Sequence, residues 1–129
     1  MDDLILFNNC IEACYSCATA CDTCTSQCLR ELDAGAMTTC IQQNRECAAI
    51  CRATAELMSL NSQQSALLCH LCAEMCTICA GECEKHGATM QHCKACAEKC
   101  RLCARICRKT IEEMPRKMGD SQHAMRERN

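Results

Sequence analysis

Nineteen of the 129 residues are cysteine, and their spacing constrains what the sulfur is for. The first set is Cys10, Cys14, Cys17, Cys21, Cys24 and Cys28, with gaps of 4, 3, 4, 3 and 4. A sparser set follows at Cys40, Cys47 and Cys51. The third is Cys69, Cys72, Cys76, Cys79 and Cys83, the fourth Cys93, Cys96, Cys100, Cys103 and Cys107, and both have gaps of 3, 4, 3 and 4. A thiolate is a nucleophile and a soft-metal ligand. Disulfide bonding, thiol redox chemistry and metal binding are therefore the chemistries to weigh.

Disulfides fit the spacing badly. Side chains three or four apart on a helix have Cβ atoms roughly 5–6 Å apart, whereas a disulfide needs about 3.5–4.5 Å. Bridges between helices are open to some pairs, but the odd cysteine count leaves one thiol over. A redox enzyme needs an exposed thiol of low pKa beside a resolving partner, and the sequence singles none out. Nor is there a nucleophile–base–orienter set or a Gly-rich phosphate loop, so the chain does not read as an enzyme.

Any single buried cysteine can act as a small hydrophobe. A whole core of thiols would be underpacked, and something else must fill it. Soft-ligand preference points to Cu(I), zinc or an iron–sulfur cluster. One Cu(I) per thiolate leaves a buried array neutral, and neutrality matters because an isolated buried charge costs several kcal/mol. Zinc in four thiolates leaves each site doubly negative and prefers closed tetrahedral sets, while nineteen does not divide by four. Iron–sulfur motifs are tighter and often end in Cys-Pro, a dipeptide absent here. The reading is a store for many Cu(I) ions, with a zinc or mixed-metal thiolate buffer and a thiol redox protein as alternatives.

The elements that must position these thiols are helices. Alternating gaps of three and four average about 3.5 residues, the period of a helical packing seam; in a strand the same residues would fall on both faces. Punctuation predicts helices near 3–32, 36–59, 63–86 and 90–113. Asp33-Ala34-Gly35 and Asn61-Ser62 mark the first two breaks, Thr89 is a candidate N-cap, and Pro115 is a stop. Short connections make consecutive helices antiparallel. The fold class is all-α: an up-down-up-down four-helix bundle with a cysteine-lined core over residues 1–114, followed by a polar tail at 115–129. Small flanking residues such as Ala13, Ala18, Ala73 and Ala104 permit close helix approach. Leu4, Leu6, Phe7, Leu57, Leu60, Leu67, Leu68 and Ile111 gather toward one end and are expected to seal it as a hydrocarbon plug.

The opposite end is expected to be the mouth. Met37 lies three before Cys40, His86 three after Cys83, Met90 three before Cys93, and His92 directly precedes Cys93. Thioether and imidazole complement thiolate for Cu(I), so these four are candidate entry ligands, although a histidine near a helix end is commonplace. Asn44 stands on the second seam where a cysteine is due, either bonded within the core or hydrated near the mouth. His70 and His123 have no assigned role.

Composition excludes other classes. A net charge of −2 gives no reason to expect nucleic acid or anionic lipid. The locally basic run 94–109 carries no aromatic stacking surface and reads as a solvated face. No stretch approaches the length and hydropathy of a membrane span. The acidic start, Met1-Asp2-Asp3, is unlike a secretion signal. A cytoplasmic location, where thiols stay reduced, is expected.

The run Cys83-Glu84-Lys85-His86 and then His92-Cys93-Lys94-Ala95-Cys96-Ala97-Glu98, with C-x-x-x-C spacing on all four helices, resembles the bacterial copper storage proteins, most closely their cytosolic branch. The resemblance covers roughly residues 4–113. It implies a bundle holding many Cu(I) ions, with all nineteen cysteines as candidate ligands and His86 and His92 as mouth histidines. It further implies entry at the His/Met end and a homo-tetramer; a copper chaperone or a client enzyme is a candidate partner. The sparse second helix, with Asn44 and Thr54 on its seam, leaves its share of sites less defined, and the tail has no counterpart.

Overall fold

The computed structural model describes residues 2–114. The expected tail at 115–129, with Pro115 and His123, lies outside the described residues. Four helices account for nearly all of the rest: α1 (Asp2–Cys28), α2 (Thr38–Ser59), α3 (Ser65–Glu84) and α4 (Gln91–Glu113). No strand occurs among the described residues. α1 packs beside α2 and α4, and α3 beside the same two, so α1 and α3 face each other across a square. The all-α, up-down-up-down expectation holds.

Helix ends differ from expectation for local reasons. α1 stops at Cys28, not near 32, because the chain tightens there: Arg30 N donates to Gln27 O at 3.0 Å and Glu31 N to Cys28 O at 3.2 Å. Asp33 then caps a 3-10 turn, Ala34–Met37, its Oδ1 accepting from Ala36 N at 3.2 Å, and α2 follows directly. α2 ends in a Schellman motif. Asn61 adopts φ 55°, while Asn61 N donates to Met58 O and Ser62 N to Leu57 O, both at 2.9 Å. Asparagine tolerates that left-handed geometry better than most residues. Thr89 does not cap α4: its hydroxyl donates back to His86 O at 3.3 Å, and Met90 takes the N-cap position without a side-chain bond.

Packing follows the seams. Every cysteine is buried, flanked by buried Ala18, Ala48, Ala55, Ala73, Ala80, Ala97 and Ala104, whose small side chains let the helices approach. The expected plug forms only in part, with Phe7 and Ile111 packed against the core. Leu4, Leu60 and Leu67 are exposed, and Leu6, Phe7, Leu57, Leu68 and Ile111 are only half-buried. The end is closed instead by buried Thr54, Met58, Ser65, Thr110 and Met114. These residues continue the inward seams, while half of the plug leucines fall on faces turned to solvent. Three hydroxyls satisfy themselves on backbone carbonyls, Thr54 on Ile50, Ser65 on Ser62 and Thr110 on Ile106, each at 2.7 Å.

One expectation about hydropathy also fails: α3 is long and apolar enough to cross a membrane by length and composition. Its inner face is a cysteine seam packed within the bundle, and exposed Leu67, Leu71 and Ile78 supply the rest of its apolar character. The basic run of α4 is a solvated face as expected. Arg101 makes two bonds to Glu84, at 3.0 and 2.7 Å, and Arg108 donates to Thr77 Oγ1 at 2.9 Å. Such exposed ion pairs contribute little to stability.

Candidate metal centre

The seam spacing delivers its sulfurs to one axis. All nineteen cysteines are free thiols, none more than 1% exposed. The periodicity suggested metal between sulfurs along each helix, and three such pairs exist: Cys24–Cys28 at 3.8 Å, and Cys47–Cys51 and Cys72–Cys76 at 3.9 Å. Most sulfur contacts instead cross between helices. Cys17 Sγ lies 3.7 Å from Cys100, 3.8 Å from Cys76 and 4.0 Å from Cys47, joining all four helices at one level. Below it, Cys51 meets Cys72 and Cys76, both at 3.7 Å. Cys14 meets Cys72 and Cys103 at 3.9 Å, and Cys10 meets Cys107 at 3.7 Å. Above it, Cys21 meets Cys100 at 3.8 Å and Cys96 at 3.9 Å, and Cys40 meets Cys83 at 3.7 Å.

These separations are far beyond a sulfur–sulfur bond and leave room for bridging atoms. Sets of four sulfurs within 4.8 Å of one another include Cys14, Cys72, Cys103 and Cys107. Two more, Cys17/Cys47/Cys51/Cys76 and Cys17/Cys21/Cys47/Cys100, share Cys17 and Cys47. The ladder is therefore continuous, not a stack of separate cages.

Proton affinity alternates along it. A buried thiolate is costly alone but is stabilised by S–H donors around it, which must then keep their protons. Hydrogen bonding from Cys107 pulls Cys10 down, and the same contact pushes Cys107 up. Cys100 does this for Cys17 and is itself raised by it. Only a fraction of the thiols can be ionised together without metal. Filling the ladder must expel protons.

Asn44 belongs to the core. It is fully buried, its Oδ1 accepts from Cys79 at 3.1 Å, Cys96 at 3.4 Å and Cys83 at 3.5 Å, and its Nδ2 donates to Cys40 Sγ at 3.8 Å. One amide thus ties together thiols of α2, α3 and α4, which resolves the two sequence readings in favour of the interior.

At the mouth, the four candidate ligands separate. His92 turns inward, with Nδ1 3.5 Å from both Cys24 Sγ and Cys93 Sγ, while Nε2 lies 3.0 Å from Glu31 Oε1. With Nε2–H donating to the carboxylate, Nδ1 is left facing the sulfurs, the carboxylate–histidine arrangement that orients metal-binding imidazoles. Burial lowers the His92 proton affinity, but in the protonated ring both nitrogens donate instead, Nδ1 to Cys24 and Nε2 to Glu31, and these bonds outweigh burial and raise it overall. Cys24 is lowered to about 6, chiefly by bonds from Cys40 and Cys83, with His92 contributing. Cys24, Cys28, His92 and Cys93 form another four-atom set within 4.8 Å. Met90 Sδ lies 4.0 Å from Cys93 Sγ, and Met37 is buried at the same end. His86, in the turn after α3, instead pairs with Glu82 of that helix, Nε2 to Oε2 at 3.3 Å. His70 is exposed on α3. A groove of about 490 Å³ between α1 and α4, lined partly by Ala20, Thr23 and Ala95, reaches His92 and Cys24 from the side.

Sequence reasoning missed Glu31 and Glu82, whose roles depend on where a loop and a helix end place two carboxylates. It also missed Met58, whose Sδ accepts from Cys69 Sγ at 3.6 Å.

Known proteins share this architecture. The family model described as copper storage protein matches residues 6–112. A cysteine-rich protein of Bacillus subtilis strain 168, YhjQ, is 42% identical over 77 residues, 60% of this chain and 71% of that one. A cytosolic copper storage protein of Streptomyces lividans, solved with five coppers, superimposes with a TM-score of 0.81 at 34% identity, covering 85% of this chain and 95% of that chain. Apo copper storage protein 3 of Bacillus subtilis gives 0.75 at 40% identity, covering 81% and 97%.

Proposed function

This chain belongs to the copper storage protein family, and on that footing we propose that it stores Cu(I) in the cytoplasm, many ions per chain, on its core thiolates. All nineteen cysteines are the ligands, with His92 and Met90 as entry ligands and Met37 and His86 as outlying members of the same mouth. The observation that carries the reading is the line of buried sulfurs that runs through Cys10, Cys107, Cys14, Cys72, Cys51, Cys47, Cys17, Cys100, Cys21 and Cys96 with successive members 3.7–4.0 Å apart, in which Cys17 and Cys47 each belong to two four-sulfur sets. Bridging thiolates serve that geometry, and a soft monovalent ion neutralises them one for one.

Cys24 is the first acceptor. Bonds from neighbouring thiols favour its thiolate form, and its Sγ lies 3.5 Å from His92 Nδ1 at the mouth. His92 then holds the ion from its Nδ1 side until it passes inward. The cargo is sequestered without turnover. Assembly into a homo-oligomer and exchange with a chaperone or client enzyme complete the proposal. A thiol redox role is disfavoured because it needs an accessible sulfur, and none exceeds 1% exposure.

Competition between metals tests the reading. Offered Cu(I) and Zn(II) together under anaerobic reducing conditions, the chain should retain copper through dialysis and exclude zinc. Retention of zinc in preference would establish the buffer alternative.

The mouth is tested by rate. His92→Ala should slow Cu(I) uptake on the order of tenfold, the lower range for disturbed ligand orientation, with total capacity almost unchanged. Glu31→Ala should slow it less, and His86→Ala under about twofold, since its ring is committed to Glu82. Stopped-flow absorbance in the thiolate-to-copper band reads all three. Equal rates for wild type and His92→Ala would remove His92 from the entry path.

A further inference from the structure

One sulfur at the end away from the mouth stands outside the cysteine ladder. Met58 is 1% exposed, and its Sδ lies 3.6 Å from Cys69 Sγ, closer than any of the thiol pairs given above. Its register is that of the ligands. The inner seam of α2 runs Met37, Cys40, Asn44, Cys47, Cys51, Thr54 and Met58, with gaps alternating three and four, and all seven are buried. Met58 is thus the rung that closes this seam, beside Cys69 at the start of α3 and at the same end as Cys10 and Cys107, which are 3.7 Å apart.

We propose that Met58 is a copper ligand: its thioether and the Cys69 thiolate hold the terminal Cu(I) ion at the blind end, with Cys10 as the neighbouring thiolate. The proposal rests on the copper-storage reading. A thioether suits this place for two reasons. It is soft enough for Cu(I), and it is neutral, so it adds a donor without adding charge or requiring deprotonation at the point farthest from the mouth. A leucine would seal the end equally well by packing alone but would offer Cys69 no second donor. Binding displaces the Cys69 proton to solvent and changes no oxidation state.

The test combines NMR of the whole chain labelled with [methyl-13C]methionine and anaerobic Cu(I) titration of wild type and Met58→Leu. Leucine conserves volume and is well tolerated in cores, and circular dichroism checks that the variant folds. The Met58 methyl signal, assigned by its absence in the variant, should move as the chain fills. The variant should bind one ion fewer, or hold one ion at least tenfold more weakly. An unmoved methyl signal overturns the proposal. So does a moving signal with unchanged stoichiometry and affinity in the variant, because that reports a neighbour and not a ligand. Either result with a normal thiolate-to-copper band leaves copper storage standing. Absence of that band in wild type fails the storage reading itself. Should Met58→Leu not fold, Met58→Ile takes its place in both measurements, and filling of that variant to wild-type stoichiometry and affinity overturns the assignment.

Discussion

Reduced and free of oxygen, the chain is expected to take up Cu(I) until there is about one ion for each of its nineteen thiols. The magnitude follows from charge. Nineteen thiolates without metal would place nineteen negative charges in a core that solvent barely reaches, which desolvation forbids. Each monovalent ion cancels one, so the array becomes less costly with every ion added until the thiols are exhausted. Divalent zinc in four-thiolate cages reaches its limit at about four or five ions, each leaving a net negative site. Shared membership of Cys17 and Cys47 in two sets prevents even those cages from being independent. Titration against a Cu(I) chelator of known affinity, followed by copper analysis of the desalted protein, measures the endpoint. Saturation at five ions or fewer would defeat the neutral-array account.

The second large effect is thermal. The copper-free core is built from small side chains, cysteine and alanine in most seam and flanking positions, so it buries less hydrocarbon than a leucine bundle of the same length. Metal supplies the missing cohesion. A single site at a thousandfold excess over its Kd stabilises by about 4 kcal/mol, and at this chain length each kcal/mol raises the unfolding midpoint by a few degrees. Even one such site accounts for about 15 °C, and a filled ladder is expected to exceed that. Unfolded cysteines also bind copper, which lowers the gain from the simple sum. Anaerobic circular-dichroism melts of copper-free and loaded protein provide the measurement. Midpoints within a few degrees of each other would mean that the ions are not held by the folded core.

Much of this was legible in the cysteine spacing alone. Gaps of three and four fixed four helices, their inward stripes and the burial of every thiol, because a helical period leaves no other common face. Spacing does not reveal which side of a helix a leucine occupies once cysteine holds the seam. Leu67 lies on the outside of α3 although its hydropathy suggested a plug, and Met58, equally apolar, lies inside because it keeps the register. The two mouth histidines were indistinguishable in sequence, both lying near helix ends. Their separation depends on Glu31, carried by a tightening loop to His92 Nε2, and on Glu82, one turn before His86. Asn44 was ambiguous for a similar reason: its interior role needs thiols from α3 and α4 to converge on one amide, a long-range fact.

The closure of one end by Thr54, Met58, Ser65, Thr110 and Met114 also bears on the order of traffic. On the proposed entry at His92, a tube with a single door could not be emptied from the bottom: cargo would reach the deepest rung by hopping from sulfur to sulfur and depart by retracing those hops, so latecomers near His92 would leave first while the earliest arrivals formed a reserve that turned over slowly.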